Sequence, residues 1–225
     1  MRLGIRLLFA FFLINGIAAF FVLRVFTAEI KPSVREVMED MMVDTANLLA
    51  ELASDDLAAG RLAQGDADSA FARHVRNYVR RPIDAGIWGF AKQSLDYRIY
   101  VTDATGRVLF DSQGQAVGQD FSQWRDVART LRGEYGARMT REVPSDDTSG
   151  VMHVAAPVLV QGRILGVLTV AKPVRTVQRF IDRAERKVLM GGLVLLLLSA
   201  AVGVAVTLWM VWNVRRLRDY ALSVQ

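Results

Sequence analysis

The sequence predicts an α+β domain carried between two transmembrane helices, and three observations predict it. Two long apolar runs stand near the ends of the 225-residue chain, Leu7 to Leu23 and Val188 to Trp212, and neither holds a charged residue. Between them, apolar residues first recur at spacings of three and four and then alternate every second residue, with glycine turns in between. The chain is 52% hydrophobic and 23% charged, which excludes a disordered chain. It has no cysteine, so disulfide scaffolds, thiolate metal sites and cysteine catalysis are excluded as well.

The first run is flanked by Arg6 and Arg24, which can snorkel to the two interfaces. It outlasts a secretory h-region, and Arg24-Val25-Phe26 is a poor small-residue cleavage site, so a retained helix is expected rather than a cleaved signal. The second run ends on Trp209 and Trp212, followed by Arg215, Arg216 and Arg218. About twenty apolar residues cross a bilayer as a helix, and both runs are read as crossing it. The arginines of both short tails place both termini on the cytoplasmic side. The net charge of +5 is therefore partly topological, and no nucleic-acid partner is expected. The expected organisation is a cytoplasmic tail and first membrane helix over 1–26, an extracytoplasmic domain over 27–187, a second membrane helix over 188–213, and the start of a cytoplasmic linker over 214–225.

In the middle region Ile30, Val34, Val37, Met41, Thr45, Leu48 and Leu52 form one stripe of a long helix from about Glu29 to Ala59, running on from the first membrane helix. Gly60 is a suitable stop. A shorter helix is expected over Ala67 to Arg80, ended by Pro82. Arg98 to Asp103 and Arg107 to Asp111 read as strands around the turn Asp103-Ala-Thr-Gly106. Ser122 to Arg132 reads as a helix with Ser122 as its cap. Gly136 to Val143, Val151 to Val160 and Arg163 to Val170 read as strands, the last two joined at Gln161-Gly162. Pro173 is expected to open an amphipathic helix leading into the second membrane run. Five antiparallel strands need one face covered, and the long helix is the available cover.

Three further stretches carry a resemblance: Tyr100-Val-Thr-Asp-Ala-Thr-Gly-Arg-Val-Leu-Phe-Asp-Ser112 with Val117-Gly-Gln-Asp120, Val151-Met-His-Val-Ala-Ala-Pro157, and Ile164-Leu-Gly-Val-Leu-Thr-Val170 with Lys172-Pro173. With these the region resembles the extracytoplasmic PAS-like sensor domain, also called PDC or Cache, of bacterial sensor histidine kinases. Met1-Arg-Leu-Gly-Ile-Arg-Leu-Leu8, Asp44-Thr-Ala-Asn-Leu-Leu-Ala-Glu-Leu-Ala53 and Thr130-Leu-Arg-Gly-Glu-Tyr-Gly-Ala-Arg138 make the carbon-source-responsive kind the better match. The resemblance implies a bacterial inner-membrane protein with its sensor domain in the periplasm, a homodimer, and a response regulator engaged only through a kinase part that these residues lack. In such kinases a HAMP linker, a phosphoacceptor helix and an ATP-binding domain follow. Leu217, Ala221 and Val224 read as the first turns of that linker, so the chain is expected to be an input module, a fragment or a truncated product with no catalytic residue of its own. The same topology feeding a chemoreceptor or cyclic-nucleotide output, or a non-signalling bitopic binding protein, stays open at this point.

Arg98 and Tyr100 share a phase on the first strand, Arg138 lies on the third, and His153 is in phase with Val151 and Ala155. In the resembled family small ligands sit between the sheet and the segments before it, which makes Arg98, Tyr100, Arg138 and His153 the candidate ligand-binding residues. Several arginines meeting at a pocket suit a carboxylate or phosphate, bound through paired hydrogen bonds. The ligand itself is unidentified. The alternative for Arg73, Arg76, Arg80 and Arg81 is a solvated helix face, for Arg76 and Arg80 also contact with anionic lipid headgroups, and for His153 a half-buried sheet position. Asp55-Asp56 and Asp146-Asp147 read as solvated, so no metal and no cofactor is expected. Asn15 in the first membrane helix, Pro173 at the exit and Leu217 at the linker are the expected points of signal transmission, Asn15 through a hydrogen bond between helices.

Overall fold

The computed structural model describes residues 2–25, 28, 31–64, 68–87, 90–141, 143, 145 and 149–222. The chain divides into two units, Met1–Ser33 with Phe180–Gln225, and Val34–Arg179.

The second unit holds the sheet. Helix α2, Lys31–Ala58, follows α1, Arg2–Val25. Gly60 takes a positive φ of 68° just past α2, the left-handed conformation that ends a helix and suits glycine. A single turn, α3 (Arg61–Gln64), precedes α4 (Ala70–Arg80). Ser69 caps α4 by accepting the Ala72 amide at 3.0 Å. A two-stranded hairpin follows, β1 (Ala85–Ile87) with β2 (Phe90–Lys92), which the alternation of the sequence did not announce. The main sheet is β3 (Arg98–Asp103), β4 (Val108–Asp111), β5 (Gly136–Arg141), β6 (Gly150–Val160) and β7 (Arg163–Pro173), with α5 (Arg125–Leu131) between β4 and β5. All its pairings are antiparallel, in the order β4-β3-β7-β6-β5. The expected α+β class, with a long N-terminal helix and an antiparallel sheet, is the class observed.

Both faces of this sheet are buried. On one face Ile99, Val101, Phe110, Val154, Ala156, Leu168 and Val170 pack with residues of α2 and α4. On the other Tyr100, Val108, Ala155 and Val167 pack with Ala116, Phe121 and Val127. Burial on two sides explains why β6 and β7 read as nearly continuous apolar runs.

The long helix covers the sheet, but through a different stripe from the one the spacing predicted. Met38, Met42, Ala46, Ala50 and Ala53 are buried. Val37, Met41, Leu48 and Leu52 stand 54%, 61%, 63% and 61% exposed. The core face is thus the stripe of methionines and alanines, while the leucines Leu48 and Leu52 remain outside.

Two boundaries also move. Pro173 does not open a helix. It ends β7, in register with Val151, and the helix begins at Arg175. Proline is tolerated there because β3 ends its pairing at Ala171, so Pro173 has a neighbouring strand on one side only. Ser122 does not cap α5, whose first flanking residue is Trp124, without a side-chain cap.

Asp56 is buried rather than solvated. It accepts from Ser69 Oγ at 2.6 Å, the Phe71 amide at 2.8 Å and Arg61 Nε at 2.7 Å. Burial raises its pKa, but these donors outweigh it and hold the carboxyl below its usual value. Asp146 and Asp147 lie outside the described residues.

In the first unit, α1 and the helix α6, Arg175–Leu222, carry the apolar runs. Among the described residues, Arg183–Met210 is long and apolar enough to cross a membrane, and the apolar stretch of α1, Phe9–Val25, is shorter. The Ser199 hydroxyl donates to Asn15 Oδ1 at 3.1 Å, and Asn15 Nδ2 donates to the Phe11 carbonyl at 2.8 Å. Gly203 leaves room for the Phe11 ring, which would stand 3.1 Å from an added Cβ. The expected run-on from α1 into α2 falls on residues 26, 27, 29 and 30, outside the described residues. Leu217 lies in the last turns of α6, where only the backbone is described.

A candidate ligand site on the outer sheet face

Register places the four candidate residues together. Arg138 of β5 pairs with His153 of β6, His153 with Ala171 of β7, and Ala171 with Arg98 of β3. These residues form one rung across four strands, and residues directly opposite on a sheet share a face. The next rung carries Gly136, Ala155, Thr169, Tyr100 and Asp111. Tyr100 thus stands beside the basic rung, on the face away from α2.

An acidic residue that the sequence reading passed over organises this cluster. Asp126, in the first turn of α5, is fully buried above the sheet. It accepts from Arg138 Nε at 2.7 Å, from the Tyr100 hydroxyl, and from Thr169 Oγ1 at 3.3 Å. Gly136 makes this seating possible, because a Cβ there would come within 2.1 Å of the Asp126 carbonyl oxygen and 2.2 Å of Thr130 Oγ1. Burial, first, and then the Asp126 charge push the Tyr100 phenol well above its usual pKa, so it remains a donor.

His153 is buried among these groups. Arg138 Nη2 lies 3.3 Å from His153 Nδ1, and Thr140 Oγ1 lies 2.9 Å from Nε2. Arginine has only donors, so Nδ1 is the acceptor and the neutral ring carries its proton on Nε2, toward Thr140. Burial, then the Arg138 charge and, more weakly, that of Arg98 push the His153 pKa down to about 4, against an opposing pull from Asp126.

Arg98 makes a two-pronged pair with buried Asp111, Nε to Oδ1 at 3.0 Å and Nη2 to Oδ2 at 2.8 Å. Burial alone would raise Asp111. The Arg98 hydrogen bonds and the amides of Gln113 and Ala116 overcome it and hold the carboxyl below its usual range. Aromatic rings close the cluster from above. Phe121 stacks on Trp124 with centroids 3.4 Å apart, Phe121 meets Tyr100 edge-on at 5.3 Å, and the Arg138 guanidinium lies 4.0 Å from the Trp124 centroid.

The arginines named from the sequence do not all meet here. Arg73, Arg76 and Arg80 belong to α4, and Arg76 lies over Phe110 on the opposite face of the sheet. His74 is exposed, as expected. Asp126 was missed because an acidic residue in the first turn of a short helix ordinarily faces solvent and the helix dipole. Asp111 closes the quoted run Arg107-Val-Leu-Phe-Asp111, and only the register of β3 with β4 shows that it faces Arg98.

No family model matches the chain. Over 224 residues, 100% of this chain, it is 45% identical to the Sensor protein CreC of Escherichia coli strain K12, and it spans 46% of that protein's length. Among solved structures, the sensor domain of the V. cholerae histidine kinase DctB matches 70% of this chain and 55% of its own, at 18% identity and a TM-score of 0.47. The E. coli DcuS sensor domain matches 65% of this chain and 98% of its own, at 18% identity and a TM-score of 0.42.

Proposed function

We propose that this chain, similar to CreC along its whole length, is the signal-input module of a two-component sensor histidine kinase. The single observation that carries the reading is that 45% identity over 224 residues, a span that takes in the apolar helices and the sheet domain alike. The module works as a homodimer in the bacterial inner membrane. Its α+β domain lies in the periplasm and both tails lie in the cytoplasm. Kinase chemistry and the response regulator belong to a part outside these residues. One span supports this topology directly, and a second is inferred from the shorter apolar stretch of α1. Arg183–Met210 is long enough by itself, and the apolar stretch of α1, Phe9–Val25, would rise about 26 Å at 1.5 Å per residue, at the low end of the length that crosses a bilayer core. An enzyme reporter active only outside the cytosol is expected to work when fused after Tyr135, and an inactive reporter there would reverse the topology.

The rung of Arg138, His153 and Arg98 beside Tyr100 is the place where a small anion, a carboxylate or a phosphate, would act. Two guanidinium forks and a phenol held protonated are donors suited to such a ligand, and they already hold two carboxylates of the chain itself. Movement of α5 would then alter the packing around the sheet and pass along β7, through Pro173, into α6 toward Leu217. The test is a melting-temperature screen of the full chain in detergent against carboxylates, phosphates and neutral sugars. A ligand at a hundredfold its Kd adds about 2.7 kcal/mol. For a chain of this size that is roughly 5–10 °C. Arg98→Gln is expected to remove the shift. A shift with sugars alone, or one that survives Arg98→Gln, would rule out this site.

A further inference from the structure

Tyr135 stands between α5 and β5, and its hydroxyl donates a hydrogen bond to Glu39 Oε1 of α2. The two residues belong to opposite layers of the domain. Helix α2 packs on one face of the sheet and α5 on the other. Strand β5 is at the edge of the sheet, and the contact passes around that edge. We propose that this hydrogen bond couples the outer-face site to α2, so that a shift of α5 reaches the long helix directly. The inference rests on reading the outer-face rung as the ligand site. It gives a signal from that site a second exit, beside the one through β7 and α6.

Tyr135 moves with α5 because it is tied to that helix from both sides. Before it, the amides of Arg132 and Glu134 donate to the Arg129 carbonyl, and the Gly133 amide donates to the Thr130 carbonyl. Gly133 closes this turn with a positive φ of 77°. The Glu134 carboxylate accepts from Arg129 Nε and Arg132 Nε, each at 3.1 Å. After it, Gly136 lies against the Asp126 carbonyl and Thr130 Oγ1, with no room for a Cβ. Asp126 in turn accepts from Arg138, Tyr100 and Thr169 in the cluster. One short, tightly closed segment thus carries the carboxylate in the site and the phenol at the sheet edge. Packed elements shift as bodies rather than deform continuously, so a displacement at Asp126 is passed to Tyr135. At the other end of the contact, Glu39 lies in the third turn of α2, next to Met38, which is buried with Met42 against the sheet. Among the described residues the Glu39 carboxylate has no basic partner, so the tyrosine is what holds it.

Amide hydrogen exchange on the full chain in detergent tests the link. Tyr135→Phe is expected to raise exchange over residues 35–42 about fivefold, the effect of losing one exposed hydrogen bond. Tyr100→Phe, which loosens Asp126 in the site, is expected to raise exchange over the same residues about threefold in the parent chain. With Tyr135→Phe or Glu39→Ala already present, Tyr100→Phe is expected to add nothing there, because coupled positions are not additive. A tyrosine that only packs at the edge would leave the Tyr100→Phe effect unchanged. Helix α4, Ala70–Arg80, is the reference for general loosening. A rise over 35–42 no greater than that in α4, or an equal rise with Tyr135→Phe present, overturns the link. The two readings fail separately. Additive exchange refutes the link and leaves the ligand site standing, whereas a melting screen without a shift refutes the ligand site and leaves the coupling of α5 to α2 standing.

Discussion

Asp126→Ala is expected to cost about 3–5 kcal/mol of stability, the usual penalty for stranding one member of a buried ion pair. The fully buried carboxylate neutralises Arg138 at 2.7 Å and accepts a hydrogen bond from the Tyr100 hydroxyl. Without it the guanidinium is left mostly buried, between Trp124 and the sheet, with His153 and Tyr100 as poor substitutes. The expected readout in the full chain is a fall in Tm of roughly 10 °C. A double variant, Asp126→Leu with Arg138→Met, removes both charges and is expected to recover most of that loss, since apolar replacement of a whole buried pair is often close to neutral. Tyr100→Phe removes one donor and leaves Asp126 its arginine and Thr169, so it is expected to cost about 1–2 kcal/mol. If Asp126→Ala melted within 2 °C of the parent, the pair would not be the keystone described here. A double variant no better than the single one would place the cost in packing rather than charge.

Acidification from pH 7 to pH 4 is expected to destabilise the domain through His153. Its folded pKa, about 4, lies below the usual value of 6.5. Between these values the unfolded chain binds a proton that the folded chain refuses, so stability rises with pH. The contribution is complete above about pH 6.5. It is lost progressively as pH falls toward 4, and amounts to about 3 kcal/mol at 1.36 kcal/mol per unit. Asp111 and Asp56 act in a lower window. Their folded pKa values lie below 3.8, so their stabilisation is present above that value and is lost only as pH falls through the folded values. Melting of the full chain at intervals from pH 7.5 to 4.5 tests the contribution of His153. His153→Gln, which keeps a hydrogen-bonding side chain and cannot titrate, is expected to flatten the slope in that range. An equally steep slope in the variant would assign the titration elsewhere.

The two apolar runs, the glycine turns, the alternation of β3 and the short apolar runs of β6 and β7 were legible because each depends on neighbours along the chain. A strand shows its faces every second residue, and a bilayer demands about twenty apolar residues. The same local logic placed Arg98 and Tyr100 in one phase of β3, and His153 in phase with Val151 and Ala155 on β6. It could not see that Arg138 and His153 are directly opposed, because register is a relation between strands far apart in sequence.

What only the tertiary structure decided were choices among locally equivalent options. On α2 two stripes compete. The leucine-bearing one has the stronger apolar signal, yet the one with Met38, Met42, Ala46, Ala50 and Ala53 lies on the sheet, since a packed interior selects for the fit of side chains as well as for hydrophobicity. Asp126 and Asp56 look like surface acids in the sequence. They are buried because the fold brings donors to them, Arg138 and Tyr100 for one, Ser69, Phe71 and Arg61 for the other. Hydrophobic periodicity is carried by the chain itself, whereas the partner that makes a buried charge tolerable is supplied only when distant segments meet.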